Sequence, residues 1–107
     1  MSLAAIAEEL LVGLRAQWPA DQQLGGFEVE VGELVDVDVA ALKAELERAC
    51  PGVTVQIVRV DGLIRCLDCG AHYPAEESPC PVCGSGRGEL VHGVELGVRR
   101  AWARAGG

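Results

Sequence analysis

Cys66-Leu67-Asp68-Cys69 and Cys80-Pro81-Val82-Cys83 form two Cys-x-x-Cys pairs with ten residues between them. Thiolates at this spacing make two knuckles that can close a tetrahedron around one soft metal ion. A glycine follows each pair, Gly70 and Gly84. That suits a tight loop whose backbone turns its amides toward the sulfurs. Cys66, Cys69, Cys80 and Cys83 are therefore the expected metal ligands. Four thiolates leave no open coordination position, so the expected ion is structural zinc.

The other reactive side chains have ordinary readings beside functional ones. His72 lies three residues beyond Cys69, close enough to share a metal, yet a histidine there is more often a solvated loop residue. His92 falls between two candidate strands with no further support. Cys50 precedes Pro51 without a His-Asp partner pattern, which fits a small core residue rather than a nucleophile. No nucleophile elbow, phosphate loop or dinucleotide fingerprint is present, and enzymatic activity is not expected.

The elements that must hold these residues come from a chain of 107 residues, 50% hydrophobic, with net charge −7. That length allows one compact unit or a small domain with a metal-stapled appendage. The Cys-rich segment is too poor in large apolar residues to fold without its ion. Nucleic acid is a disfavoured partner, because a phosphate backbone needs a basic stripe. Here there is one lysine, Lys43, and the eight arginines are spread along the chain. Neither a signal peptide nor a membrane span is legible, and four of five cysteines sit in metal spacing. The expected location is cytoplasmic.

Leu3, Ile6, Ala7, Leu10, Leu14 and Trp18 recur at helical spacing, with Ser2 as N-cap and Trp18-Pro19 as the end. Residues 21–26 read as a polar loop. Phe27, Val29 and Val31 alternate with Glu28 and Glu30 as a half-buried strand. Asp36 or Asp38 caps a second helix carrying Val39, Leu42, Leu46 and Ala49, which stops at Cys50-Pro51-Gly52. Val53, Val55 and Ile57 give the next strand, and a strand–helix–strand unit of this length favours a right-handed parallel crossover. Leu90 and Val91 end a small ribbon. Val94, Leu96 and Val98 form a last strand that returns to the main sheet. The expected fold is α/β: a small mixed sheet with two helices on one face and an inserted zinc ribbon. Its domains are 1–62, completed by 94–107, and the ribbon 63–93.

This order of elements resembles the HypA family, nickel metallochaperones of hydrogenase and urease maturation. Three places carry the resemblance. Residues 1–11, with Ile6-Ala7 and Leu10-Leu11, are similar to that family's first helix. Val31-Gly32-Glu33-Leu34, followed by Val37-Asp38 and Ala41-Leu42, is similar to its Gly-Glu-Leu strand end and following helix. The paired knuckles then precede Gly93-Val94-Glu95-Leu96, which resembles its closing strand. The Cys-x-x-Cys-Gly phrasing also resembles rubredoxin knuckles, which hold iron, so the spacing leaves iron open beside zinc.

The resemblance implies a chain that passes nickel to a hydrogenase or urease precursor, working with a HypB-like GTPase. It also makes Glu33 a functional carboxylate to weigh against a plain strand-end residue, and Glu95 likewise. One departure stands out. The family begins Met-His-Glu and holds nickel through the terminal amine, the imidazole of its second residue and backbone amides, donors that suit Ni(II). Here Met1-Ser2-Leu3 lacks the imidazole. Either this start is a vector-derived leader, or the chain is a divergent member. The alternative function is a zinc-ribbon interaction or scaffold protein without nickel delivery.

Overall fold

The structure is a computed structural model that describes residues 2–105. Met1, whose amine belongs to the nickel motif that the resemblance implies, lies outside the described residues. Helix α1 spans Leu3–Gln17 and helix α2 Val39–Ala49; the strands are β1 Leu24–Gly32, β2 Thr54–Val60, β3 Leu63–Cys66, β4 His72–Pro74, β5 Gly88–His92 and β6 Leu96–Ala103. The chain forms two compact units. One holds residues 2–30, 37–58 and 96–105; the other holds 31–36 and 59–95. Among the described residues, no helix is long and apolar enough to cross a membrane.

In the first unit, Ser2 caps α1 by accepting the Ala5 N–H at 3.1 Å, and Asp38 caps α2 by accepting the Ala41 N–H at 3.1 Å. Each cap satisfies an amide that the first helical turn leaves without a partner. Helix α1 buries Ala7, Leu11 and Leu14, a line shifted by one residue from the expected Leu10, which is half-buried. Helix α2 buries Leu42 and Leu46, and the two helices pack on one another. It ends where the Cys50 N–H reaches the Leu46 carbonyl, before Pro51.

The sheet order is β2-β1-β6. Gly26 lies against Thr54 at the start of β2, and the Glu33 N–H just past β1 donates to Val60 at the end of β2, so these strands run parallel. Gly26 also lies against Trp102, while Arg104 donates to Gln23, so β6 runs antiparallel to β1. The sheet is mixed, as expected.

Two expectations about β1 fail. Leu24, Gly25 and Gly26 belong to the strand rather than to a loop, and the strand is not half-buried. Strand β1 is central, with β2 on one edge and β6 on the other. Phe27 and Val29 have no exposed surface, and Glu28 between them is also buried. Buried carboxylates need partners. Glu28 has two: Arg100 Nε at 3.1 Å and Arg99 NH1 at 3.7 Å. Neighbours on a regular strand point to opposite faces. Both long guanidinium side chains nevertheless reach the same carboxylate.

The second unit centres on a sheet ordered β4-β3-β5, both pairs antiparallel. Ile64 pairs with Tyr73 and Leu90, and Cys66 pairs with Gly88. Its buried cluster is only Cys66, Tyr73 and Cys80, flanked by Ile64 and Ala71. So small a core needs a cross-link.

Candidate metal centre

Cys66 closes β3, and the chain then turns through a loop that is repeated at Cys80. In the first knuckle the Cys66 carbonyl accepts the Gly70 N–H at 3.0 Å, and the Cys66 N–H donates to Ala71 at 2.8 Å. In the second, the Cys80 carbonyl accepts the Gly84 N–H at 2.8 Å, and the Cys80 N–H donates to Ser85 at 3.0 Å. Gly70 and Gly84 close the two loops at φ +78° and +76°, where a β-carbon is disfavoured. The amides of Cys69 and Asp68 turn onto the Cys66 sulfur, and those of Cys83 and Val82 onto the Cys80 sulfur.

All four Sγ atoms lie within 4.8 Å of one another, and they are the metal-capable cluster among the described residues. Cys66 and Cys83 are 3.5 Å apart; Cys69 and Cys80 are 3.7 Å apart. Zinc bound tetrahedrally at its usual sulfur distance sets neighbouring thiolates about 3.8 Å apart. The spacing is far too long for a disulfide, and all five cysteines are free. The cluster fits a structural zinc.

Protonation preferences point the same way. The Cys69 amide, with further help from Asp68 and the neighbouring sulfurs, brings the Cys66 thiol down to about 6. The Cys83 amide lowers Cys80. The second cysteine of each knuckle goes the other way. At Cys69 an amide from Ala71 is outweighed by burial and by the Cys66 and Cys80 sulfurs. At Cys83 the Ser85 amide is outweighed chiefly by the Cys66 sulfur, and the thiol is pushed up to about 12. Four sulfurs this close do not all ionise unless a cation joins them. A divalent ion supplies that charge and links the two knuckles.

Side chains beyond the ligands also link the knuckles. Ser85 Oγ donates to Asp68, and Arg87 NH1 reaches the other Asp68 oxygen at 3.2 Å. Asp68 is the interior residue of a Cys-x-x-Cys loop, and no spacing rule singles it out.

The remaining candidates do not join the metal cluster. His72 is exposed on β4, opposite Arg65 in register. His92 Nδ1 lies 3.0 Å from Glu95 Oε2, while Glu95 Oε1 accepts the Gly93 N–H at 2.7 Å. That amide, with the Glu95 amide and His92, lowers the Glu95 carboxyl below its ordinary value. Glu33 Oε2 accepts the Gly62 N–H at 2.6 Å, which gives it a fastening role at the entrance to β3. Gly62 has no room for a side chain, since its β-carbon would stand 2.9 Å from that of Ala75. Cys50 is buried behind α2, as a core residue.

A small α/β unit interrupted in sequence by a ribbon whose four cysteines fit one structural zinc defines a zinc-ribbon protein. A family model described as "Hydrogenase/urease nickel incorporation, metallochaperone, hypA" matches residues 1–102. The chain belongs to the HypA family. It is 31% identical over 106 residues to the hydrogenase maturation factor HypA of Chlorobaculum tepidum, covering 92% of this chain and 93% of that protein. It is 33% identical over 80 residues to the HypA of Parabacteroides distasonis, covering 68% and 70% respectively. The solution structure of the Ni metallochaperone HypA from Helicobacter pylori shares the fold, with a TM-score of 0.68 over 99% of this chain and 100% of that one, at 17% identity.

Proposed function

We propose that this chain is an accessory protein for nickel insertion into a hydrogenase or urease precursor, with Cys66, Cys69, Cys80 and Cys83 as the ligands of its structural zinc. The observation that carries the reading is the family match across residues 1–102. In this reading residues 1–62 with 94–107 form the cargo domain, and 63–93 form the zinc ribbon that presents it to partners. Nickel is cargo, delivered with a HypB-like GTPase to the precursor in the cytoplasm. In this reading the four thiolates close around zinc and the chain's task is delivery rather than covalent catalysis.

One observation favours a second reading, a zinc-ribbon scaffold without delivery. Position 2 is a serine whose oxygen already caps α1, and a neutral hydroxyl is a poor nickel donor. Two measurements on the zinc-loaded protein separate the readings: pull-down with a purified HypB-like GTPase and a hydrogenase precursor, and calorimetric nickel titration. Binding to GTPase or precursor together with stoichiometric nickel uptake supports delivery. Partner binding without nickel supports the scaffold. Binding to neither partner overturns the family function for this chain.

A further inference from the structure

In the first unit, β6 pairs with β1 on one side only and is an edge of the sheet. Along it runs a groove of about 410 Å³, walled by Leu10 and Gly13 of α1, by Trp18 just past its end and by residues 97–101 of β6. Five consecutive residues of this edge strand, Gly97 to Ala101, line the groove. Two of its residues are glycines that nothing inside the chain requires. A β-carbon on Gly13 or Gly97 would meet no atom within 4 Å, and neither position has a positive φ. Glycine is unfavourable inside a helix, and inside a strand it often marks the close approach of another backbone.

The charge of the strand selects the occupant. Arg99, Arg100 and Arg104 lie within six residues of a chain whose net charge is −7. The Arg99 and Arg100 side chains are 55% and 66% exposed, although both reach Glu28. Arg100 also stands 5.8 Å above the Trp102 ring, and Arg104 donates to the Gly52 carbonyl rather than to a carboxylate. Glu9 is the acidic residue of the helix wall. A second copy of β6 would set arginine against arginine, which destabilises a strand pair.

We infer that this groove docks an acidic, extended segment of another protein, added to the sheet as a strand beside β6 with its carboxylates toward Arg99 and Arg100. Main-chain hydrogen bonds to the free edge would supply affinity, and the arginines would supply selection.

The probe is the capped peptide acetyl-Thr-Val-Glu-Val-Glu-Val-Thr-amide. Its alternation copies residues 27–31, which β6 already meets on its other side. Binding should slow hydrogen exchange of β6 amides and shift the fluorescence of Trp18. Replacing both peptide glutamates by lysine should weaken binding at least about ten-fold. Gly13→Leu and Gly97→Val fill the groove without crowding the chain, so each should weaken the acidic peptide about ten-fold or more with the circular dichroism unchanged. The inference is overturned by equal affinity for the two peptides, by undiminished binding in both filled variants, or by no binding at about 1 mM peptide. It is equally overturned if the chain alone protects its β6 amides by self-association, which would make the occupant a second copy.

Discussion

Gly70→Ala and Gly84→Ala perturb the metal centre through the backbone alone. Both glycines sit at positive φ, +78° and +76°, and a β-carbon at either would meet nothing within 4 Å. Crowding therefore contributes nothing, and the whole cost is that of an L-residue in the left-handed region, about 1–2 kcal/mol. The ribbon has only Cys66, Tyr73 and Cys80 as its buried cluster, so its folding and metal binding share one free energy. Each substitution should lower zinc affinity by about 5–30-fold. The double variant, if the two loops act independently, should lose about 2–4 kcal/mol, or about 30- to 1,000-fold. Gly86→Ala is the control: it follows the second knuckle, its β-carbon also meets nothing, and its φ lies outside the positive range. Competition with a chromophoric chelator measures all four affinities. If the knuckle variants hold zinc as tightly as Gly86→Ala, the left-handed turns do not bear on the metal site and the reasoning fails.

Three further outcomes follow from the same geometry. Stripping zinc with a strong chelator should abolish exchange protection in β3, β4 and β5 while α1, α2 and β1 keep theirs, because Phe27, Val29, Leu42 and Leu46 form a core without metal; loss of protection everywhere would contradict this. Glu95 has a folded pKa below its unfolded value, held there first by the Gly93 amide. Its contribution is thus present above the ordinary carboxylate pKa of about 4.3 and is lost as pH falls through the folded value. Glu95→Gln should therefore destabilise the protein in urea at neutral pH and match the parent in strong acid, and an equal deficit at both pH values would refute the assignment. Ser2→Ala should cost about 1 kcal/mol through the lost cap on α1, read as a lower urea midpoint at unchanged slope.

The knuckles were legible because metal geometry is local: two loops of fixed length and one ion determine where four sulfurs go. Helix bounds were legible for the same reason, as Ser2 and Asp38 lie within three residues of the amides they cap. What the pattern hid is long-range. Phe27, Val29 and Val31 alternate with glutamates as in a strand with one wet face, yet Glu28 is buried as well. Only the Arg99-Arg100 pair, some seventy residues later, makes a buried Glu28 tolerable. Glu33 and Glu95 were visible as residues but not as roles. Each satisfies a backbone amide, of Gly62 and Gly93, in a loop whose conformation no periodicity describes.

Position 2 sets the start of α1. Whatever stands there precedes the first helical residue, Leu3, and faces an amide that α1 cannot satisfy internally. Serine answers that need with a neutral oxygen. An imidazole in its place would offer nickel a better donor but cap the helix less well, since histidine is not among the favoured N-cap residues. A terminus built for cargo thus accepts a looser first turn when empty and regains stability when nickel binds. With serine, the helix start is fixed without any ion. The first turn of α1 has its amide satisfied by Ser2, whereas the ribbon knuckles surround a buried cluster of just three residues, Cys66, Tyr73 and Cys80. The contrast is between a helix start held by a side-chain oxygen and a four-sulfur cluster whose small buried core leaves the stabilising work to a metal.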